Sequence, residues 1–163
     1  MIVVALVIGG SMAPPMPRLA HLADIIMPPG AALALDGSRA VVLASRDSVG
    51  ESVAAYNLSH GDRAWFTELP VRQSDDLGMT VSDGVILVAG GTLGSRGPHT
   101  LAVDEKTGRL LWTSRLDLVS PRRGSDTVLM SNGPTELSAS GEGDKFALDK
   151  RTGKVRWYLP LGS

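Results

Sequence analysis

Short runs of alternating apolar and polar residues recur along this chain, and clusters of Gly, Asp, Asn and Ser separate them. Near residue 100, Leu101 and Val103 fall on one side of such a run, Ala102 falls on the other, and a polar turn follows from Asp104 to Gly108. Alternation with a period of two is typical of a half-buried β-strand. The pattern therefore predicts many short strands joined by tight turns.

The predicted strands group into units of four. Those of the first unit cover 31–35, 40–44, 52–57 and 63–68. Those of the second unit cover 77–81, 85–89, 100–104 and 109–115. In the third unit a strand is predicted over 127–130, but 120–124 is a Pro-Arg-Arg-Gly segment where the first strand should lie. We expect that strand to be eroded or missing.

One pattern of eleven residues, Ala-x-Asp-x-x-Thr-Gly-x-x-x-Trp, occurs twice in full and once in a degenerate form. Its signature positions are Ala102, Asp104, Thr107, Gly108 and Trp112 in one full copy, Ala147, Asp149, Thr152, Gly153 and Trp157 in the other, and Ala55, Gly61 and Trp65 in the degenerate copy. The tryptophans are 47 and 45 residues apart. This period is typical of propeller blades and other repeat arrays.

The signature has the chemistry of a turn followed by a packed strand. Its Asp accepts hydrogen bonds from backbone amides two or three residues on, its Thr does so more weakly, and its Gly adopts positive φ. A tryptophan that recurs once per unit is expected to pack as an apolar plate against the next unit. Its indole N–H is then expected to reach a backbone group of that neighbour.

The signature resembles the blade motif of the PQQ-type β-propellers. Theirs is the eight-bladed fold of the quinoprotein alcohol dehydrogenases, and many non-enzymatic proteins share it, an outer-membrane assembly lipoprotein among them. The resemblance covers roughly 31–159. It implies an all-β fold of four-stranded antiparallel blades and a bacterial, extracytoplasmic setting, periplasmic or at the cell surface, with the cytoplasm left open. It does not by itself imply catalysis.

We expect an N-terminal apolar segment and connector over 1–30 and a partial propeller over 31–163. The three blades are predicted at about 31–69, 77–116 and 120–160. Known propellers use about four to eight blades, so three do not close a ring. Two explanations stay open: the chain is part of a larger propeller, or two copies form a homodimer with six blades. The predicted partner is therefore the remaining blades or another protein.

The N-terminal apolar run, 1–8, is too short to span a bilayer, which needs about 20 apolar residues. No Lys or Arg precedes Arg18, so the basic start of a signal peptide is missing. The run is interpreted as a weak export signal, the tail of a membrane anchor or a buried strand. The following segment, 19–27, is predicted to form a short connecting helix.

Composition changes this picture little. The 163 residues are 43% hydrophobic and 20% charged, as in ordinary globular domains. A net charge of -1 without long runs of one sign gives no reason to expect nucleic acid or an anionic membrane as partner. Cysteine is absent, which excludes disulfides, thiolate metal sites and a cysteine nucleophile. It also excludes the vicinal cysteine pair of many quinoprotein alcohol dehydrogenases.

Candidate catalytic residues are few. Asp104 and Asp149 suggest an acid and base pair, but they are equivalent turn positions, so a structural role is favoured. The three histidines, His21, His60 and His99, lack metal-ligand spacing. No nucleophile elbow, H-E-x-x-H motif or dinucleotide fingerprint is present.

Three further segments have alternative interpretations. The glycine-rich segment 90–97 is either an anion-binding nest or a flexible loop, and the latter is favoured because a phosphate loop also needs a lysine and a following helix. Glu142 and Asp144 offer too few oxygens for calcium, which takes six or more. The third feature, a contact surface for an anion or a solvated loop, consists of Arg115, Arg122 and Arg123.

The sequence therefore predicts a non-catalytic propeller segment that serves as a scaffold or protein-binding module without a cofactor. The alternative is a fragment of a PQQ-dependent quinoprotein dehydrogenase whose catalytic residues, PQQ and calcium lie in a longer protein. Enzymatic activity is left open, with the non-catalytic role favoured. No catalytic, cofactor-binding or metal-binding residue is assigned.

Overall fold

The structure is a computed structural model that describes residues 2–5, 21–46, 50–71, 77–90, 98–132 and 143–160. The regular elements in these ranges are all β-strands. Three four-stranded antiparallel sheets follow a two-stranded sheet along the chain. The predicted all-β fold of four-stranded antiparallel blades is confirmed.

The N-terminal two-stranded sheet pairs β1 (Ile2–Ala5) with β2 (His21–Ile25). The helix predicted over 19–27 is therefore wrong. Ile25 is buried in an apolar cluster with Val42 of the first four-stranded sheet, and this packing across the chain outweighs the local helical pattern. In the described ranges, no helix has the length and apolar character that crossing a membrane requires.

The first two four-stranded sheets have the same topology. The first blade consists of β3 (Ala32–Asp36), β4 (Arg39–Arg46), β5 (Gly50–Asn57) and β6 (Arg63–Glu68). The second blade consists of β7 (Gly78–Ser82), β8 (Val85–Ala89), β9 (Thr100–Asp104) and β10 (Leu110–Ser114). In both, the strands lie side by side in chain order. We call the turn between the first two strands of a blade its hairpin turn, and the turn between the last two its signature turn.

The third blade is also complete, with β11 (Asp117–Ser120), β12 (Thr127–Ser131), β13 (Lys145–Asp149) and β14 (Val155–Leu159). The expectation that its first strand is eroded or missing is wrong. Only Arg115 and Leu116 separate β10 from β11, so the strand begins at Asp117, before the predicted boundary of 120. Its residues Asp117 and Leu118 pair with β12. The Pro-Arg-Arg-Gly segment forms the hairpin turn instead.

The second blade is buried on both faces. Successive residues of its central strands, β8 and β9, point to opposite faces of the sheet, and most of them are apolar. The side chains packed against the first blade are Ile86, Val88, Leu101 and Val103. Those packed against the third blade are Val85, Leu87 and Ala102. All are fully buried. Burying one such aliphatic side chain contributes about 1.5–3 kcal/mol, so these two cores are the main attraction between blades.

In every blade the signature Ala lies directly opposite the signature Trp on the neighbouring strand. The pairs are Ala55 with Trp65, Ala102 with Trp112 and Ala147 with Trp157. Residues opposite each other on antiparallel strands have Cβ atoms only about 4.5–5.5 Å apart, so a small side chain leaves room for the indole. A register shift lies next to each pair, between the Trp and its turn. The pattern of alternation did not predict this bulge.

Candidate functional site at the seams between blades

The signature turns are closed by the side chain of their Asp. In the second blade, the amide and hydroxyl of Thr107 donate to Asp104 Oδ1 at 2.9 and 2.8 Å. The Gly108 N–H donates to the Asp104 carbonyl at 2.8 Å, and Gly108 has φ of 73°. In the third blade the same contacts join Thr152 and Gly153 to Asp149. Both turns therefore use the Asp as an acceptor within the turn.

The degenerate turn of the first blade keeps the backbone geometry without the Asp and Thr. The Gly61 N–H donates to the Asn57 carbonyl at 2.8 Å, and φ of Gly61 is 74°. Asn57 Nδ2 donates to Asp62 Oδ2 at 2.9 Å. His60 lies in this turn, where its Nδ1 is 2.7 Å from Ser59 Oγ. His60 is thus part of a local turn contact.

Each of the first two signature tryptophans reaches across to the signature turn of the following blade. Trp65 Nε1 donates to the carbonyl of Glu105 at 2.9 Å. Trp112 Nε1 donates to the carbonyl of Lys150 at 2.7 Å. Both carbonyls belong to the residue after the turn Asp. The same contact to the backbone therefore recurs at each seam, the boundary between two successive blades. This is the packing that the recurring tryptophan predicts.

The signature glycines lie against the same indoles. A Cβ added to Gly108 would lie 2.5 Å from Cε3 of Trp65, and one added to Gly153 would lie 2.6 Å from Cγ of Trp112. Heavy atoms in van der Waals contact are about 3.5–4.0 Å apart. Only a residue without a side chain therefore fits under each ring.

The face of the third blade that carries Trp157 presents two exposed apolar side chains. Trp157 is 48% exposed and Leu159, on the same face of that strand, is 50% exposed, whereas Ala147 opposite Trp157 is buried. Leu129, Ala147 and Trp157 pair across this sheet. The same row in the second blade is covered by the third blade. We call this surface the third-blade face.

The carboxylates of the signature turns have lowered pKa values. Arg156 beside Asp149, followed by the amide and hydroxyl of Thr152, lowers the pKa of that carboxyl. Burial raises the pKa of Asp104, but Thr107 and the Arg151 guanidinium outweigh burial, and the net direction is downward. Both carboxylates are therefore held in the ionised form that caps a turn.

Among the residues that the structure describes, Lys150 has the largest fully buried side chain, with 2% of its surface exposed. Its Nζ crosses into the second blade, where it donates to Ser82 Oγ at 2.9 Å and to Asp83 Oδ2 at 2.7 Å. It also donates to the Arg122 carbonyl at 2.7 Å. An open pocket of about 350 Å³ is lined by Lys150, by Asp83 and by Gly124 in the hairpin turn of the third blade.

Glu105 holds the corresponding place at the seam between the first and second blades. Its carbonyl accepts from Arg39 Nη1 at 3.0 Å as well as from Trp65. Burial, and then the carboxylate of Asp36 at the end of β3, raise the pKa of the Glu105 carboxyl. One seam therefore places two acidic side chains together where the next places an ammonium and a carboxylate.

The other candidate residues do not assemble into a site. In the described ranges, no three His, Asp or Glu side chains form a group that could hold a metal ion. His99 Nδ1 lies 2.9 Å from Asp117 Oδ1, which joins the second and third blades. No sequence signal predicted this pair, because its members are 18 residues apart without a motif. His21 begins β2.

The remaining predicted segments fall partly outside the described ranges. Residues 91–97 of the glycine-rich segment and Glu142 lie outside them. Asp144 accepts from the Tyr158 hydroxyl at 2.9 Å and from Asn132 Nδ2 at 3.2 Å. The three arginines lie in two different connections, Arg115 between β10 and β11, and Arg122 and Arg123 in the hairpin turn of the third blade.

Successive four-stranded blades whose tryptophans pack on the signature turn of the next blade define a PQQ-like β-propeller repeat protein. A family model described as outer membrane protein assembly factor BamB matches residues 13–163. The chain belongs to this family. No curated protein matches it.

Solved structures similar to the chain include two propeller proteins and one designed protein. BamB from Moraxella catarrhalis is 19% identical with a TM-score of 0.49, over 82% of this chain and 36% of that one. A quinohemoprotein alcohol dehydrogenase from Pseudomonas putida HK5 is 19% identical with a TM-score of 0.48, over 78% and 20%. The designed protein Ika8 is 14% identical with a TM-score of 0.48, over 77% and 35%. The match thus spans about a third of the Moraxella protein.

Proposed function

We propose that this chain is a non-catalytic propeller-repeat module that acts as a scaffold or protein-binding surface through its third-blade face. The observation that supports this most directly is the exposure of Trp157, whose two counterparts each pack on a neighbouring turn. Large contiguous apolar surfaces commonly mark protein interaction sites. The description of the family as an assembly factor supports the same role.

The chemistry of the signature turns also supports a non-catalytic role. Asp104 and Asp149 use their Oδ1 atoms to cap their own turns, and arginines from the third blade lie beside their Oδ2 atoms. A general acid or base needs a pKa near the working pH, whereas these carboxyls have lowered pKa values. The two carboxylates are therefore suited to a structural role in their turns.

The partner we propose is a surface that resembles a signature turn, from a further blade, a second copy of this chain or another protein. Such a turn offers a carbonyl to Trp157 and a glycine beneath its ring. We also propose that the protein works outside the cytoplasm, in the periplasm or at the cell surface, and the description of its family as an outer membrane protein assembly factor supports this.

A role as part of a PQQ-dependent dehydrogenase is the alternative. PQQ enzymes hold calcium with several oxygen ligands. The described residues do not bring three His, Asp or Glu side chains together, and no catalytic step is assigned to them. Because this alternative places PQQ and calcium in a longer protein, titration of such a protein with PQQ and calcium in a calorimeter tests it directly. Binding of both would overturn the non-catalytic proposal.

The proposed binding face is tested by the solution mass of the chain, measured by light scattering with circular dichroism to verify a β-rich fold. We expect the mass to rise above that of a monomer with concentration, and Trp157→Ser to suppress the rise. The matched control is Leu35→Ser, which changes an exposed apolar residue of the first blade and leaves association unchanged. If the mass rises with concentration and Trp157→Ser leaves that rise unchanged, the assignment of this face is overturned.

A further inference from the structure

The buried ammonium of Lys150 joins the third blade to the second through side-chain contacts that are specific to this seam. A lysine ammonium has three N–H donors, and Ser82, Asp83 and the Arg122 carbonyl accept one each. Burying a charge is costly unless it is paired and hydrogen-bonded. The third blade therefore requires that the blade before it supply a carboxylate next to the Lys150 ammonium.

The residue that supplies the carboxylate occupies a backbone position suited to glycine. Asp83 is the first loop residue of its hairpin turn and has φ of 53°. The same position in the first blade is Gly37, with φ of 55°. This conformation is unfavourable for an L-residue and costs glycine nothing comparable. Asp83 nevertheless accepts from Ser82, Lys150 and the Gly124 N–H with one oxygen, Oδ2.

A second residue in the left-handed region also contacts Lys150. In the described ranges, the non-glycine residues with positive φ are Asp83 and Arg122, the latter at 37°. Both accept a hydrogen bond from Lys150 Nζ. Unfavourable backbone conformations persist where the surroundings over-determine them. Both unfavourable conformations of the hairpin turns are thus gathered around one ammonium.

The residue after the turn Asp or Asn differs at each seam although its backbone role is the same. In the first blade it is Leu58, which is buried with Ile25 and Val42. In the second it is Glu105, which faces Asp36. In the third it is Lys150, which faces Asp83. The position therefore varies with the unit that precedes it.

We propose that this position is the one by which a blade recognises the blade before it, and that Lys150 selects a blade whose hairpin turn carries an acidic residue in the left-handed conformation. The interaction surface is the side of the third blade around Lys150, and the partner it fits is a blade with Asp at the place of Asp83. A blade with Gly at that place, as in the first blade, leaves the ammonium without its carboxylate. This inference does not depend on the proposed function.

The first test compares the hydrogen exchange of two indole N–H groups in the full chain by NMR. Trp112 reports the seam between the second and third blades, and Trp65 reports the other seam. Asp83→Gly relieves the backbone but removes the carboxylate, so we expect exchange at Trp112 to rise roughly tenfold or more while Trp65 keeps its rate. The control, Arg122→Gly, also relieves the backbone but keeps the carbonyl acceptor, so exchange at Trp112 should be unchanged or slower and Trp65 should keep its rate.

Two results would overturn the proposal. If Asp83→Gly leaves the exchange of Trp112 unchanged or slower, relief of the backbone outweighs the contact and Lys150 does not need its carboxylate. If both indoles exchange faster by the same factor, Asp83 supports the whole fold and does not specify one seam.

A second test moves the pair to the other seam by a double-mutant cycle. A Cβ on Gly37 meets no atom within 4 Å, so Gly37→Asp fits sterically. Together with Glu105→Lys it recreates the acid and base pair in front of the second blade. For each variant the measured quantity is the ratio of its folding equilibrium constant to that of wild type. We expect this ratio for the double variant to exceed the product of the ratios for the two single variants at least tenfold. The control pairs Gly37→Asp with Glu105→Gln, which removes charge repulsion without adding an ammonium. Equal coupling in both cycles would contradict recognition by charge pairing.

Discussion

The indole of Trp65 lies so close to Gly108 of the next blade that an added Cβ would stand 2.5 Å from its Cε3 atom. The same contact recurs between Trp112 and Gly153. The glycine of each signature is thus matched to the tryptophan of the preceding copy and not to its own. The eleven-residue pattern records a contact between blades as well as a turn within one.

Gly108→Ala is expected to destabilise the chain for two separable reasons. Positive φ costs an L-residue roughly 1–2 kcal/mol, and forcing a methyl against a packed ring costs about 1–3 kcal/mol more. Gly37→Ala isolates the first cost, because Gly37 has φ of 55° but open space at its Cβ. Urea unfolding of both variants measures the difference. Equal losses would show that the Trp65 ring moves aside freely.

Trp112→Ala and Trp157→Ala are expected to differ although the two residues occupy the same place in their blades. Trp112 packs in the core between the second and third blades, so truncation should cost about 3–5 kcal/mol. Trp157 is half exposed and should cost less than about 1 kcal/mol in the monomer. Urea unfolding at low protein concentration compares them. A loss below about 1 kcal/mol for Trp112→Ala would mean that its indole is not a packed plate.

Most of the fold could be predicted from the repeat in the sequence. Turn chemistry at Asp104 and Asp149, with one tryptophan per unit, is enough to predict strands, hairpins and four-stranded blades, because these depend on local period and turn residues. The resemblance to the PQQ-like family, drawn from the same residues, is confirmed by the match over 13–163. Residues that act within one repeat were readable from that repeat alone.

Features that depend on contacts between repeats were not predictable. Lys150 stands in a polar turn, where lysine is normally solvated, and its burial depends on Asp83 67 residues away. β2 forms where a helix was predicted because Ile25 packs on the first blade. β11 was not predicted because it begins only two residues after β10, before the position near 120 where the first strand of the third blade was expected.

Asp149→Asn is expected to alter the acid sensitivity of stability. The pKa of Asp149 is lowered in the folded chain by Arg156 and Thr152. A lowered pKa contributes stability above the ordinary value, about 4, and that contribution is lost as pH falls below it. We therefore expect a lower stability than wild type at pH 7 and a flatter decline from about pH 4 to pH 2. Urea unfolding across this range measures both.

The control for this prediction is Asp126→Asn. Asp126 is exposed and contacts the same Arg156 at 2.7 Å, but it caps no signature turn. We expect this variant to retain the decline of wild type in acid. If Asp126→Asn flattens the decline as much as Asp149→Asn does, the acid sensitivity is not specific to the carboxylate of the signature turn.

Glu105→Gln is expected to stabilise the chain at neutral pH. Burial and the neighbouring Asp36 raise the pKa of Glu105, and Arg39 opposes this more weakly. A raised pKa means that the folded chain holds the proton more tightly than the unfolded chain. The resulting stability is fully present below the ordinary value, about 4.3, and is lost as pH rises through the raised pKa. At pH 7 the ionised Glu105 therefore opposes folding, and a neutral amide of the same shape does not.

Urea unfolding of Glu105→Gln and wild type from pH 3.5 to pH 8 tests this sign. The variant should be the more stable one at pH 7, and the two should converge near pH 4. Glu68→Gln, at the exposed end of β6, is the control and should follow wild type throughout. The Glu105 carbonyl that accepts from Trp65 is unchanged by the substitution, so the indole contact is kept. A variant less stable than wild type at pH 7 would show that Arg39 outweighs Asp36 and that this seam is held by an ion pair.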